Sequence, residues 1–154
     1  MRQSSAISAK NACSEKGQAM VEFMLSLVIV MFLIFGIFET MTMMYSYNVI
    51  ANAAKEGVRY AVVSGSNSAT PAGPTAGNSS DCSTNVAPVQ NYVSNYAGLT
   101  FHNMSGLTVN VCYLDGNNVA PSRVQVTVQY AYSPYFNVPL TPTIYSAAEG
   151  RIVN

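Results

Sequence analysis

The chain has 154 residues, 49% hydrophobic and only 9% charged, with a formal net charge of zero. So low a charged fraction, against roughly 25% in ordinary soluble domains, points to a membrane segment. Zero net charge supplies no basic field for nucleic acid. The length allows that segment plus one small domain of about ninety residues, enough to bury a modest core.

Residues 1–17 are polar, contain Cys13 and show no sustained periodicity. They read as a leader peptide, or alternatively as a short cytoplasmic tail that is never removed. Arg2, Lys10 and Lys16 against Glu15 make this segment net basic. From Met20 to Phe38 every residue is apolar apart from Ser26 and the single acid Glu22. A helix over that run is roughly 28 Å long, close to the hydrocarbon thickness of a bilayer. A carboxylate there costs about 2.5–3.5 kcal/mol at the midplane and less near an interface. Glu22 stands in the first turn of the run, so it avoids part of that cost. Taken alone it reads as an interfacial acid at the start of an ordinary anchor. Basic residues precede the run and none follows until Lys55, which places the N-terminus in the cytoplasm and the later domain outside it. A secretory signal peptide cut near Ala51-Asn52-Ala53 is the competing reading. The apolar run is too long for an h-region of about 7–15 residues, and that site lies well beyond its end.

The junction Lys16-Gly17 followed by Q-A-M-V-E-F, with Glu22 the fifth residue counting from Gln18, resembles the processing site of type IV pilin-like precursors. Glu22-Phe23, then F-G-I-F-E-T and the continuation Y-S-Y-N-V-I-A-N-A-A-K-E-G-V-R-Y-A from Tyr45 to Ala61, resembles the TadE-like pseudopilin family of Tad (tight adherence) pili. The resemblance covers Lys16–Val63 and rests on the order and spacing of motifs that are each short. It implies cleavage between Gly17 and Gln18 by a prepilin peptidase, with Glu22 and Phe23 serving recognition and assembly. The implied partners are other pilin or pseudopilin subunits, the Tad inner-membrane platform and membrane lipid. The implied place is the bacterial inner membrane, or a surface filament.

From Gln18 to Ser64 a single helix is predicted, since no proline occurs before Pro71. It would make a rod on the order of 70 Å. Beyond the membrane run Val49, Ile50, Ala53, Ala54, Gly57, Val58, Ala61 and Val62 recur at helical spacing. This stripe is made largely of small residues, so another backbone can approach closely. Its expected partner is the chain's own C-terminal sheet, with a neighbouring subunit as the alternative. Ser64-Gly65 ends the helix. Residues 65–87, rich in Ser, Thr, Gly, Pro and Asn, are predicted to be a flexible polar surface loop.

Residues 88–154 are predicted to form an extracytoplasmic pilin-like domain. Pro88 opens a short helix in which Val89, Tyr92, Val93 and Tyr96 share a face, with Gly98 as the stop. Strict alternation over Leu107–Leu114 and Ser122–Tyr132, around Asp115-Gly116-Asn117-Asn118, predicts an antiparallel hairpin. Pro134, Pro139 and Pro142 mark an aromatic-rich loop, and Thr143–Val153 is predicted to pair as a further strand. The fold class is α+β. A long helix, apolar in its anchoring half and amphipathic in its distal half, carries a small antiparallel sheet of three to four strands and a short helix.

Removal of the leader leaves two cysteines, Cys82 in the polar loop and Cys112 on the outer face of its strand. Oxidation is expected outside the cytoplasm. A bridge between them would close a loop of about thirty residues, worth about 3–4 kcal/mol in the entropic account; the alternative is two unpaired thiols. For an enzyme the inventory is poor. His102 is the one histidine, no G-x-S-x-G occurs, and no Gly-rich phosphate loop follows a strand. A metal site from Asp81, Asp115, Asn117 and Glu149 is conceivable, but Asp115–Asn118 reads better as a turn. Neither catalysis, nor a metal, nor another cofactor, nor a nucleic-acid partner is expected. Two functions compete: a processed pilin or pseudopilin taking part in Tad filament assembly for surface adhesion, and a permanently anchored extracytoplasmic ligand-binding domain.

Overall fold

The computed structural model describes residues 4–75, 77, 79–100, 104, 106–136 and 141–154, with side chains described from Gly17 onward. His102 and Pro139 lie outside the described residues. Two helices and three strands follow in the order α1 (Ser4–Val63), α2 (Ala87–Gly98), β1 (Thr108–Tyr113), β2 (Arg123–Ala131) and β3 (Thr143–Arg151). The chain divides into two units, Met1–Met41 and Thr42–Asn154.

In the first unit, the side chains from Met20 to Phe38 form an apolar helix surface. Met20 through Phe38 are exposed on every side, from 38% at Phe35 to 73% at Phe32. The helix is long and apolar enough to cross a membrane, with a best-window mean hydropathy of 2.7, and none of that window is buried. An apolar helix that finds no protein to bury it has lipid as its natural solvent. Its described hydroxyls, Ser26 and Thr40, are internally satisfied. Ser26 Oγ donates to the Glu22 carbonyl at 2.9 Å and Thr40 Oγ1 to that of Gly36 at 2.8 Å, which removes most of the cost of carrying them into hydrocarbon.

In the second unit the same helix changes character. Ser46, Val49, Ile50, Ala53, Ala54, Gly57, Val58 and Ala61 are buried, three and four residues apart along one face. They cover a three-stranded antiparallel sheet of order β1-β2-β3. Its inward residues are Val111 and Tyr113 on β1, Val124, Val126, Val128 and Tyr130 on β2, and Ile144 on β3. The register follows from the alternation: Val111 pairs with Val126, and Val126 with Ala148. Each such Val or Ile removed from water contributes about 1.5–3 kcal/mol, so this face dominates the stability of the unit. Gly57 permits the close approach. A Cβ there would run into Val93 Cγ2 and lie 3.2 Å from Val126 Cγ1.

Helix α2 buries Val89, Val93 and Ala97. Of the predicted face, Val89 and Val93 are buried, Ala97 takes the place of Tyr92 and Tyr96, and both tyrosines are nearly 40% exposed. Val93 packs closely against Gly57, and Tyr92 finds a partner at the rim, its ring stacked on Tyr60 at 4.7 Å and 16°. Gln90 Nε2 then donates to the Val109 carbonyl at 3.0 Å on the outer side of β1.

Residues 64–87 contain few apolar side chains, yet Ala72, Gly73 and Pro74 are buried. The loop is held by the backbone. Ala72 N–H donates to Ser64 O at 2.8 Å, Gly73 N–H to Asn85 O at 3.0 Å, and Asn118 N–H to Pro74 O at 2.8 Å. Gly73, with φ +92, lies flat over the ring of Tyr113, where any Cβ would strike the ring.

Candidate functional site

The motif residues of the N-terminal helix lie together. Gly17, Gln18, Glu22 and Phe23 are all exposed, and the Gly17–Gln18 peptide bond falls inside α1. Nothing stands within 4 Å of where a Gly17 Cβ would be, so the glycine is not demanded by packing in this chain. Its physical effect is local. Glycine destabilises a helix interior by about 0.5–1 kcal/mol relative to alanine, which weakens the helix locally just ahead of the apolar run. Gln18 and Glu22, four residues apart, share one face of the helix. Cleavage at Gly17 would put a new ammonium on Gln18 and leave Glu22 near a helix N-terminus, where the macrodipole favours a negative charge. Phe23 is 65% exposed and begins the lipid-facing surface.

The second constellation surrounds Cys82 and Cys112, which are joined by a disulfide with Cα atoms 4.0 Å apart. The backbone brings them together. Asp81 and Tyr113 form a two-way antiparallel bridge, with Asp81 N–H to Tyr113 O at 3.0 Å and Tyr113 N–H to Asp81 O at 2.7 Å. Asp81 Oδ1 accepts from Ser83 N–H at 2.8 Å, Thr84 N–H at 3.1 Å and Ser83 Oγ at 3.1 Å. The Thr84 hydroxyl, followed by the Ser83 and Thr84 amides, holds this carboxyl down to about 2. Bridge, disulfide and Gln90 together occupy the outer edge of β1.

Tyr113 itself is fully buried, and its hydroxyl finds no hydrogen-bond partner among the described residues. Burial, with a smaller contribution from Tyr60, pushes the phenol up to about 12. Gly73 covers its ring from the loop side.

The carboxylates considered for a metal are each engaged. Asp115 Oδ1 accepts from Arg123 Nη2 at 2.9 Å, and its Oδ2 accepts from Arg123 N–H at 2.8 Å. These bonds lower the Asp115 carboxyl and raise the Arg123 guanidinium. Arg123 Nη1 lies 4.0 Å from Glu149 Oε1, so a cation already stands between the two acids. Asn117 Oδ1 accepts from Val119 N–H at 3.2 Å and from the Ser122 hydroxyl. Among the described residues no group of three or more His, Cys, Asp or Glu side chains converges.

Sequence reasoning missed Asn118. It was legible only as a turn residue, yet it is fully buried, with Nδ2 donating to Ala72 O at 3.1 Å and its own carbonyl accepting from Ser66 N–H at 3.0 Å. A position past the tight turn, in a run of two asparagines, was the available signal.

A family model described as TadE-like protein matches residues 17–59. The match starts at Gly17 and runs through the apolar segment into the stripe that packs on the sheet. No curated protein and no solved structure matches the chain.

Proposed function

We propose that this chain is a pilin or pseudopilin subunit of a Tad-type pilus. It is inserted in the bacterial inner membrane with its N-terminus cytoplasmic and its second unit outside the cytoplasm. A prepilin peptidase cleaves it between Gly17 and Gln18, and it then takes part in assembling filaments used for surface adhesion, in contact with other subunits and with the inner-membrane platform. The carrying observation is the match that begins at Gly17, in a helix whose apolar surface from Met20 to Phe38 is wholly exposed. Such a surface needs lipid or other helices around it. The role is mechanical rather than catalytic: it anchors, is released by one cut and packs.

Glu22 carries the step from anchor to filament. In a lone anchor its carboxylate is only a cost. Among packed helices, the ammonium created on Gln18 of the same or a neighbouring chain offsets it, provided the pair is hydrogen-bonded. The test is Gly17→Leu in the native host. A Cβ there meets nothing within 4 Å, and the second unit does not include this position, so that unit should fold as before while the precursor accumulates. Normal processing of Gly17→Leu would contradict the proposal.

A further inference from the structure

The two edges of the sheet end differently. On β1, Tyr113 exchanges both of its outward backbone bonds with Asp81, and Gln90 Nε2 donates to the outward Val109 carbonyl. The Cys82–Cys112 disulfide straps the same side. On β3, the Ile152 N–H donates to Ser122 O, and the Tyr132 N–H donates to Pro142 O. Antiparallel bonding alternates along a strand. The even-numbered residues of β3 therefore bond to β2, and the N–H and C=O groups of Thr143, Tyr145, Ala147, Glu149 and Arg151 point outward. None of these outward groups has a hydrogen-bond partner among the described residues. The side chains of the same residues are exposed, Tyr145 at 70%.

An open strand edge is a template for another strand, and proteins blunt such edges with lysine, proline, a bulge or short length. β3 has none of these devices. It is nine residues long, pairs with β2 without interruption from Thr143 to Arg151, and contains neither lysine nor proline. What fits it is extended backbone with an open edge of its own, and among the described strands of a second copy only β3 offers one. We propose that β3 pairs antiparallel with β3 of a second copy, about a two-fold axis at Ala147, so that the two sheets become one. Such an isologous contact is self-complementary. This register pairs every outward group from Thr143 to Arg151, and any slip leaves some of them unpaired. It sets Glu149 opposite Tyr145 of the second copy and Arg151 opposite Thr143 of the second copy, so no like charges face each other. A single strand edge is a small interface, so it forms where copies are concentrated.

Besides Cys82 and Cys112 the chain contains only Cys13, so a Cys13→Ser background leaves an engineered cysteine as the free thiol. Full-length variants, concentrated in detergent, are treated with a short bismaleimide. In the proposed register Ala147 lies about 5.5 Å from its counterpart, so Ala147→Cys alone should give a cross-linked dimer. Tyr145 lies opposite Glu149 and about 14 Å from its own counterpart, so mixed Tyr145→Cys and Glu149→Cys chains should cross-link about fivefold more than either alone. Ala147→Pro removes an outward N–H that β2 does not use and should abolish the mixed cross-link. Ala147→Lys, which keeps the backbone and sets like charges against each other, should do the same if the proline variant fails to fold. The pairing is overturned if Ala147→Cys gives no dimer, or if Tyr145→Cys alone cross-links as well as the mixture. Mixed cross-links that survive a folded Ala147→Pro or Ala147→Lys overturn it as well.

Discussion

Tyr113 is the residue whose chemistry and packing disagree most. Its ring sits in the core under Gly73, while its hydroxyl is buried without a partner among the described residues. A buried unsatisfied hydroxyl costs about 1–3 kcal/mol, so Tyr113→Phe is expected to raise stability by about 1 kcal/mol in thermal unfolding. The pH dependence has a definite sign. Folding raises this phenol from 10.0 to about 12, so above pH 10 the unfolded chain loses its proton first, and stability falls as pH rises from about 10 to about 12. Tyr113→Phe should flatten that limb. Asp81 acts at the other extreme: its carboxyl is lowered from 3.8 to about 2, so the stability it confers is complete above about pH 4 and is lost as pH falls toward 2. A pH profile in which Tyr113→Phe and wild type lose alkaline stability alike would contradict the assignment. The inward position of Tyr113 was legible from strand alternation. The covering of its ring by Gly73 was not, because that contact joins residues forty apart through one loop whose composition shows only polarity.

At the scale of elements, the α1 stripe and the hairpin were legible because periods of 3.6 and 2 are written directly in side-chain polarity. The inward face of α2 was not, since Val93 and Tyr92 both suit a buried position and the contact of Val93 with Gly57 joins residues far apart in the chain. Gly57→Ala tests that contact. Alanine improves helix propensity by about 1 kcal/mol, but the added Cβ meets the short, branched Val93, and overpacking costs about 1–3 kcal/mol. A net loss of about 1 kcal/mol is expected, read as a fall in Tm of about 4–8 °C; an unchanged or higher Tm would show that the helix is less tightly seated. The loop of residues 65–87 was legible as surface but not in its attachments, which are main-chain carbonyls, one asparagine and one disulfide. Replacing Cys82 and Cys112 by serine should cost up to about 3–4 kcal/mol and speed amide exchange at Asp81 and Tyr113. Unaltered exchange at both would mean that the backbone bridge holds the edge without the covalent link.

For the whole molecule, one unit ends at Met41 and carries the exposed apolar run of Met20–Phe38, and the other, from Thr42, has its own core. The apolar run was legible in the chain's composition and low charge. The account makes the first unit a membrane anchor that becomes filament after one cut. Glu22→Ala should therefore leave membrane level and cleavage near wild type while surface filaments fall sharply; full filaments with normal subunit content would reduce Glu22 to an interfacial residue. Everything in that account depends on the junction at Gly17. The N-terminal sequence and intact mass of the protein extracted from membranes of its native host test it most directly. A mature chain beginning at Gln18 is the predicted result, and a chain that still carries residues 2–17 would contradict it.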